Sequence, residues 1–176
     1  MTQHITFLAR PMLPHQLIAE GPGPPGFLMA HFGTSFGGVP QLQIQVDGSW
    51  ISSSSLAGIA WVGTDISNHT QTGECGCIHA HSALLTEAKA CLQAMFWAHE
   101  QGYKKISVHT DSEIIIRSLL KPLTYPISIT WTLCDIRATA QQFEWCRITK
   151  VDRSQVHMAH VLANRARQGQ LPLFRF

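Results

Sequence analysis

The sequence predicts a mixed α/β domain: a five-stranded mixed sheet flanked by helices. Three observations carry that expectation. Short stretches such as 42–47 and 106–111 alternate apolar and polar residues, the period of a half-buried strand. Leu84, Ala88, Cys91, Met95 and Ala98 instead recur at steps of three and four, the period of a helix with one apolar face. The order of the stretches is three strands, a helix, a strand, helices, a strand and a helix, which suits a layered α/β domain.

Each element has its own justification. Leu42, Ile44 and Val46 alternate with Gln43, Gln45 and Asp47, giving the first strand. A polar turn at 52–55 leads into a second strand over 57–62, and a turn at 68–73 into a third over 74–80. Ser82 is a suitable cap for the helix that follows, which stops near Gly102. Ile106, Val108 and Thr110 mark the fourth strand, and the helical crossover before it predicts that it lies parallel to the first. A short helix over 112–120 ends before Pro122. A helix over 131–143 has Leu133, Ile136 and Ala140 on one face, 145–151 forms the fifth strand, and a helix over 155–168 closes the domain.

Six of nine prolines and six of thirteen glycines fall in the first forty residues, so 1–40 reads as a flexible Pro/Gly-rich segment. The globular domain is then 41–170, with a tail at 171–176. Of the 176 residues 45% are hydrophobic and only 14% charged, against a usual charged share of about 25%, which excludes a disordered chain. No run reaches about 18 apolar residues, so no membrane partner is expected. A net charge of +2 neither demands nor excludes nucleic acid. Five cysteines without framework spacing point to a reducing, intracellular setting, nucleus or cytoplasm. Residues 1–19 are free of acids, as transit peptides are, which keeps organelle import as the lesser alternative.

The eleven carboxylates carry more information than the net charge. Asp47 and Asp111 end the first and fourth predicted strands, at the edge where open α/β sheets place their sites. Glu87 lies three residues after Leu84 and four before Cys91, so it shares the apolar face of its helix. Carboxylates so placed need a partner, and three of them converging on one edge suggest a hard divalent ion, Mg²⁺ or Mn²⁺. A strand-ending Asp taken alone reads more readily as a turn former, Asp47-Gly48 being a turn dipeptide, and it is the three together that favour a site.

Val46-Asp47-Gly48-Ser49, Thr86-Glu87-Ala88 and Thr110-Asp111-Ser112 together resemble the ribonuclease H-like superfamily, in particular the plant-type domains related to retroelement reverse transcriptases. Arg153 followed by 159–163 (AHVLA) resembles the family's terminal motif, and the likeness spans about 42–168. It implies a metal-dependent endonuclease that cuts the RNA strand of an RNA–DNA hybrid with two Mg²⁺ ions bridged by Asp47, with Glu87 and Asp111 completing the ligands of one ion. At the fourth acidic position of the motif this chain has His160, which implies weaker Mg²⁺ binding there and relatively better use of Mn²⁺. Val156 replaces the motif's usual Asn, and 149–155 lacks the Gly and His of the mobile loop that many members carry. Those departures support an alternative, a catalytically weakened or inactive nucleic-acid-binding domain of retroelement origin. Ser49, Ser112 and Arg153 are the expected substrate contacts, and the domain is expected to act as a monomer.

Two further readings concern residues outside that set. Cys75, Cys77, His79 and His81 alternate along a strand, so the outer two would be roughly 20 Å apart and cannot converge on zinc. The two cysteines read as small buried strand residues. The tryptophans at 50, 61, 97, 131 and 145 read mostly as core, with Trp50 near the site.

Overall fold

A computed structural model describes residues 28–35, 38–121 and 127–170 of the chain. The strands are β1 (Met29–Phe32), β2 (Leu42–Ser49), β3 (Leu56–Asp65), β4 (Gln71–His79), β5 (Lys105–Thr110) and β6 (Trp145–Lys150). The helices are α1 (Ala83–Glu100), α2 (Glu113–Leu120), α3 (Thr130–Ala140) and α4 (His157–Arg167), with 3₁₀ turns at Ile127–Ile129 and Arg153–Val156. No helix among the described residues is long and apolar enough to cross a membrane.

The six strands form one sheet in the order β1-β6-β5-β2-β3-β4. β2, β3 and β4 make an antiparallel meander, whereas β5 runs parallel to both β2 and β6. The parallel pairing expected between the first and fourth predicted strands is therefore present. The strand count is corrected from five to six. The extra strand, β1, lies inside the segment read as flexible and pairs antiparallel with β6, Met29 opposite Thr149 and Phe32 opposite Cys146. Residues 1–27 and the tail at 171–176 lie outside the described residues.

The two faces of the sheet are covered unequally. On one, Leu42, Ile44 and Val46 of β2 and Ile106 and Val108 of β5 pack with Ala88, Cys91 and Met95 of α1 and Leu133 and Ile136 of α3 in a single buried cluster. At about 25 cal/mol per Å² of buried apolar surface, this layer supplies most of the hydrophobic stabilisation. On the other, Ala60 and Val62 of β3 form a small cluster with Leu162 and Ala163 of α4, with Cys75 half-buried against it. α4 comes so close to β3 that a Cβ on Gly58 would collide with the carbonyl of Ala163, so glycine is needed there.

Two packing expectations are corrected. Trp131 is 83% exposed. It sits two residues before Leu133 in the first turn of α3, about 200° around the helix from the buried face. Cys77 is exposed and Cys75 half-buried, because β4 is an edge strand that α4 covers only in part. Trp61 and Trp145 are buried as expected.

Candidate metal centre

β2 and β5 pair in register through Gln45 and His109, so two residues further on Asp47 and Asp111 leave the same edge of the sheet side by side. α1 brings the third carboxylate. Its first turn is fixed by Ser82, whose hydroxyl accepts from Leu85 N–H at 3.1 Å, while Thr86 Oγ1 donates to Ser82 C=O at 2.8 Å. Gly48 lets the helix approach: a Cβ there would stand 2.8 Å from Glu87 N and 2.8 Å from Thr86 Cγ2. The missing side chain therefore brings Glu87 beside Asp47. Ligand oxygens of Asp47, Glu87 and Asp111 lie within 4.8 Å of one another, the one such cluster of metal-ligating side chains among the described residues.

The electrostatics are those of a site short of positive charge. Burial pushes the Asp47 carboxyl above its ordinary range, and nearby Asp111 adds to the rise. The His160 hydrogen bond and the Gly48 N–H, which donates to Asp47 Oδ1 at 2.8 Å, work against it. Burial likewise raises Glu87, helped by Asp111 and Asp47 and opposed by a hydrogen bond from Ser112 and the charge of Arg153. Mutually repelling, partly desolvated carboxylates are what a bound cation relieves. An all-oxygen donor set suits a hard divalent ion.

The other predicted site residues gather around this trio in different roles. His160 is not in the carboxylate cluster; its Nδ1 lies 2.6 Å from Asp47 Oδ2. Arg153 Nη2 lies 3.1 Å from His160 Nδ1 and 3.2 Å from Nε2. Equal reach to both nitrogens lays the guanidinium against the ring rather than along either lone pair, a usual arginine–ring contact. Ser112 is buried against Glu87. Ser49 is also buried, and its hydroxyl is engaged inside the protein by Asn164 and Arg167.

Sequence reasoning missed Asn164 and Arg167. Asn164 Nδ2 lies 3.0 Å from His160 Nε2, and its Oδ1 accepts from Ser49 Oγ at 2.6 Å. Arg167 Nε donates to Ser49 Oγ at 2.8 Å. The readable signal was the spacing: His160, Asn164 and Arg167 follow at four and three residues, one polar stripe on α4. Beyond Ser49 the edge opens into a cavity of about 320 Å³ lined by Trp50, the serines at 52–55, Ala80 and His81. Trp50 is held there by donating to Ala80 C=O at 3.1 Å.

The chain's relatives agree with this architecture. The family model described as reverse transcriptase-like matches residues 45–166, from the middle of β2 to the last turn of α4. No curated protein matches the chain by sequence. Among solved structures it is similar to RNase H1 from the halophilic archaeon Halobacterium salinarum, with 21% identity and a TM-score of 0.66 over 73% of this chain and 98% of that one. LC11-RNase H1, isolated from compost and solved in complex with an RNA/DNA hybrid, is 20% identical with a TM-score of 0.65, covering 74% of this chain and 99% of that one. The foamy viral protease-reverse transcriptase in complex with dsDNA is 18% identical with a TM-score of 0.60, covering 74% and 96%. With the family model reaching from β2 through the crossover to the helix that carries His160, the chain belongs to the reverse transcriptase-like family, and its fold is that of the ribonuclease H structures it matches.

Proposed function

We propose that this protein is a metal-dependent endonuclease that hydrolyses the RNA strand of RNA–DNA hybrids. The observation that carries the reading is the trio of Asp47, Glu87 and Asp111, with oxygens within 4.8 Å at the edge of a ribonuclease H-like sheet. Those three would hold the two Mg²⁺ ions of the proposed reaction, with Mn²⁺ as a substitute. Bound divalent ions would polarise the scissile phosphate and lower the pKa of the attacking water.

The chain's own residues supply the rest. Gly48 N–H fixes Asp47 Oδ1, and Ser112 fixes Glu87, so the ligands are oriented before substrate arrives. Arg153, exposed at the mouth of the site, offers a fixed cation to a phosphate oxygen. The serine-lined cavity beside Trp50 gives hydroxyl donors and a ring face to the sugar–phosphate backbone, which favours recognition of duplex shape over sequence.

One observation favours a second reading, a nucleic-acid-binding domain with little or no turnover. The fourth acidic position is a histidine bonded to Asp47. Incubation of the protein with a labelled RNA–DNA hybrid in Mg²⁺ and in Mn²⁺ separates the two. Cleavage of the RNA strand that is absent in Asp47→Asn supports the enzyme. Retention of the hybrid without cleavage in either metal supports the binding domain.

A further inference from the structure

Four hydrogen bonds run in series from the end of α4 to the metal centre, and the chemistry of the first fixes the sense of all the others. Arg167 Nε can only donate, so Ser49 Oγ, 2.8 Å away, accepts from it. The Ser49 hydroxyl proton then goes to Asn164 Oδ1 at 2.6 Å, a length typical of O–H···O rather than N–H···O. That orients the amide so that Nδ2, a donor only, faces His160 Nε2 at 3.0 Å. Nε2 is therefore the accepting nitrogen, the ring proton sits on Nδ1, and Nδ1–H donates to Asp47 Oδ2 at 2.6 Å.

We infer that His160 is a positioning residue and not a metal ligand: the series Arg167–Ser49–Asn164 locks its ring as an Nδ1–H donor that aims Asp47 at the ion. A nitrogen ligates only through a free lone pair. Nδ1 has spent its lone-pair direction on a proton, and the lone pair of Nε2 is taken by Asn164. The imidazole therefore stands where the family motif has a fourth carboxylate, yet acts behind Asp47, as outer partners of ligating carboxylates do. Ser49, expected among the substrate contacts, becomes a link in the same series. Asn164 is the deciding member, because its amide joins the serine to the ring.

The inference rests on the proposed function only in taking Asp47 as a ligand, and its tests read the ring and the ion rather than cleavage. Two-dimensional ¹H–¹⁵N spectra of the full chain report which ring nitrogen of His160 carries the proton. The expected pattern is a protonated Nδ1 and a pyridine-like Nε2, unchanged when Mg²⁺ saturates the site. An Nδ1 that loses its proton on Mg²⁺ addition, or a proton resident on Nε2, would overturn it.

Calorimetric Mg²⁺ titration of variants gives an independent readout. His160→Ala removes the N–H donated to Asp47, whereas Asn164→Ala keeps the imidazole and only frees Nε2. His160→Ala is expected to lose about tenfold in Mg²⁺ affinity, and Asn164→Ala to fall toward it. Unchanged or tighter Mg²⁺ binding in Asn164→Ala beside a loss in His160→Ala, with both folded by circular dichroism, would identify His160 as a ligand and contradict the inference. Because neither readout involves a hybrid, failure of cleavage with these results intact would count against the proposed function alone.

Discussion

The two faces of the sheet divide the work of the molecule. The face under α1 and α3 is built from large side chains, including Leu42, Ile44, Met95, Leu133 and Ile136, all buried. The face under α4 is built from small ones: Gly58 and Ala60 on the sheet, Ala159, Ala163 and Ala166 on the helix. Small residues bury little area, but they bring α4 near enough for His160, Asn164 and Arg167 to reach β2. One face holds the fold together, and the other holds polar side chains in register with the carboxylates. The comparison teaches that close approach, more than buried volume, is what builds this site.

Changes on each face should therefore part stability from chemistry. Ile44→Ala opens a hole in the large core and should cost about 2–5 kcal/mol, read from chemical denaturation, while the folded fraction keeps its metal affinity. Leu162→Ala, in the thin layer, should cost less; an equal cost would break the comparison. Gly58→Ala forces α4 off the sheet and should cost up to about 3 kcal/mol. It should also weaken Mg²⁺ binding and cleavage more than Ile44→Ala does, since it displaces the whole polar stripe.

Ligand and proton effects arise at the sheet edge where Asp47, Glu87 and Asp111 meet, and are smaller. Saturating Mg²⁺ at about 100 times its dissociation constant should stabilise the chain by about 2.7 kcal/mol, visible as a rise in melting temperature that Asp47→Asn diminishes. Burial holds Asp47 and Glu87 above their ordinary values of 3.8 and 4.5. The unfolded chain therefore releases these protons first, and ion-free protein loses stability as pH rises from the ordinary values through the raised folded ones. In chelator, the wild type should lose ground to Asp47→Asn as pH rises above those ordinary values, as measured by denaturation midpoints. A difference that does not change over that range would mean the carboxylates are not under the strain described.

Most of the fold was legible because periodicity is local. The strand and helix patterns from Leu42 to Arg167 each reveal themselves within a few residues, and the crossover from β2 to β5 fixes their parallel sense. β1 was not legible: four residues, Met29–Phe32, show no readable period and sit among glycines and prolines. Its pairing with β6, more than a hundred residues away, is what makes it a strand. Trp131 was misplaced because a large aromatic residue suggests burial, whereas its position relative to Leu133 turns it outward. In the site, the carboxylates were found because acids in apolar patterns are conspicuous. Asn164 and Arg167 were not, because polar residues on a helix look like solvated surface until Ser49, 115 residues from Asn164, is seen against them.

The central claim is that Asp47, Glu87 and Asp111 together cut RNA in a hybrid, and the chemistry of the cut ends tests it most directly. A 5′-labelled RNA annealed to DNA is incubated with the purified chain in Mg²⁺ and in Mn²⁺, beside Asp47→Asn and Glu87→Gln. The predicted result is internal cleavage leaving 3′-hydroxyl and 5′-phosphate ends, dependent on the divalent ion and lost in both variants. Intact RNA in both metals, or cleavage that persists undiminished in Asp47→Asn, would contradict the account.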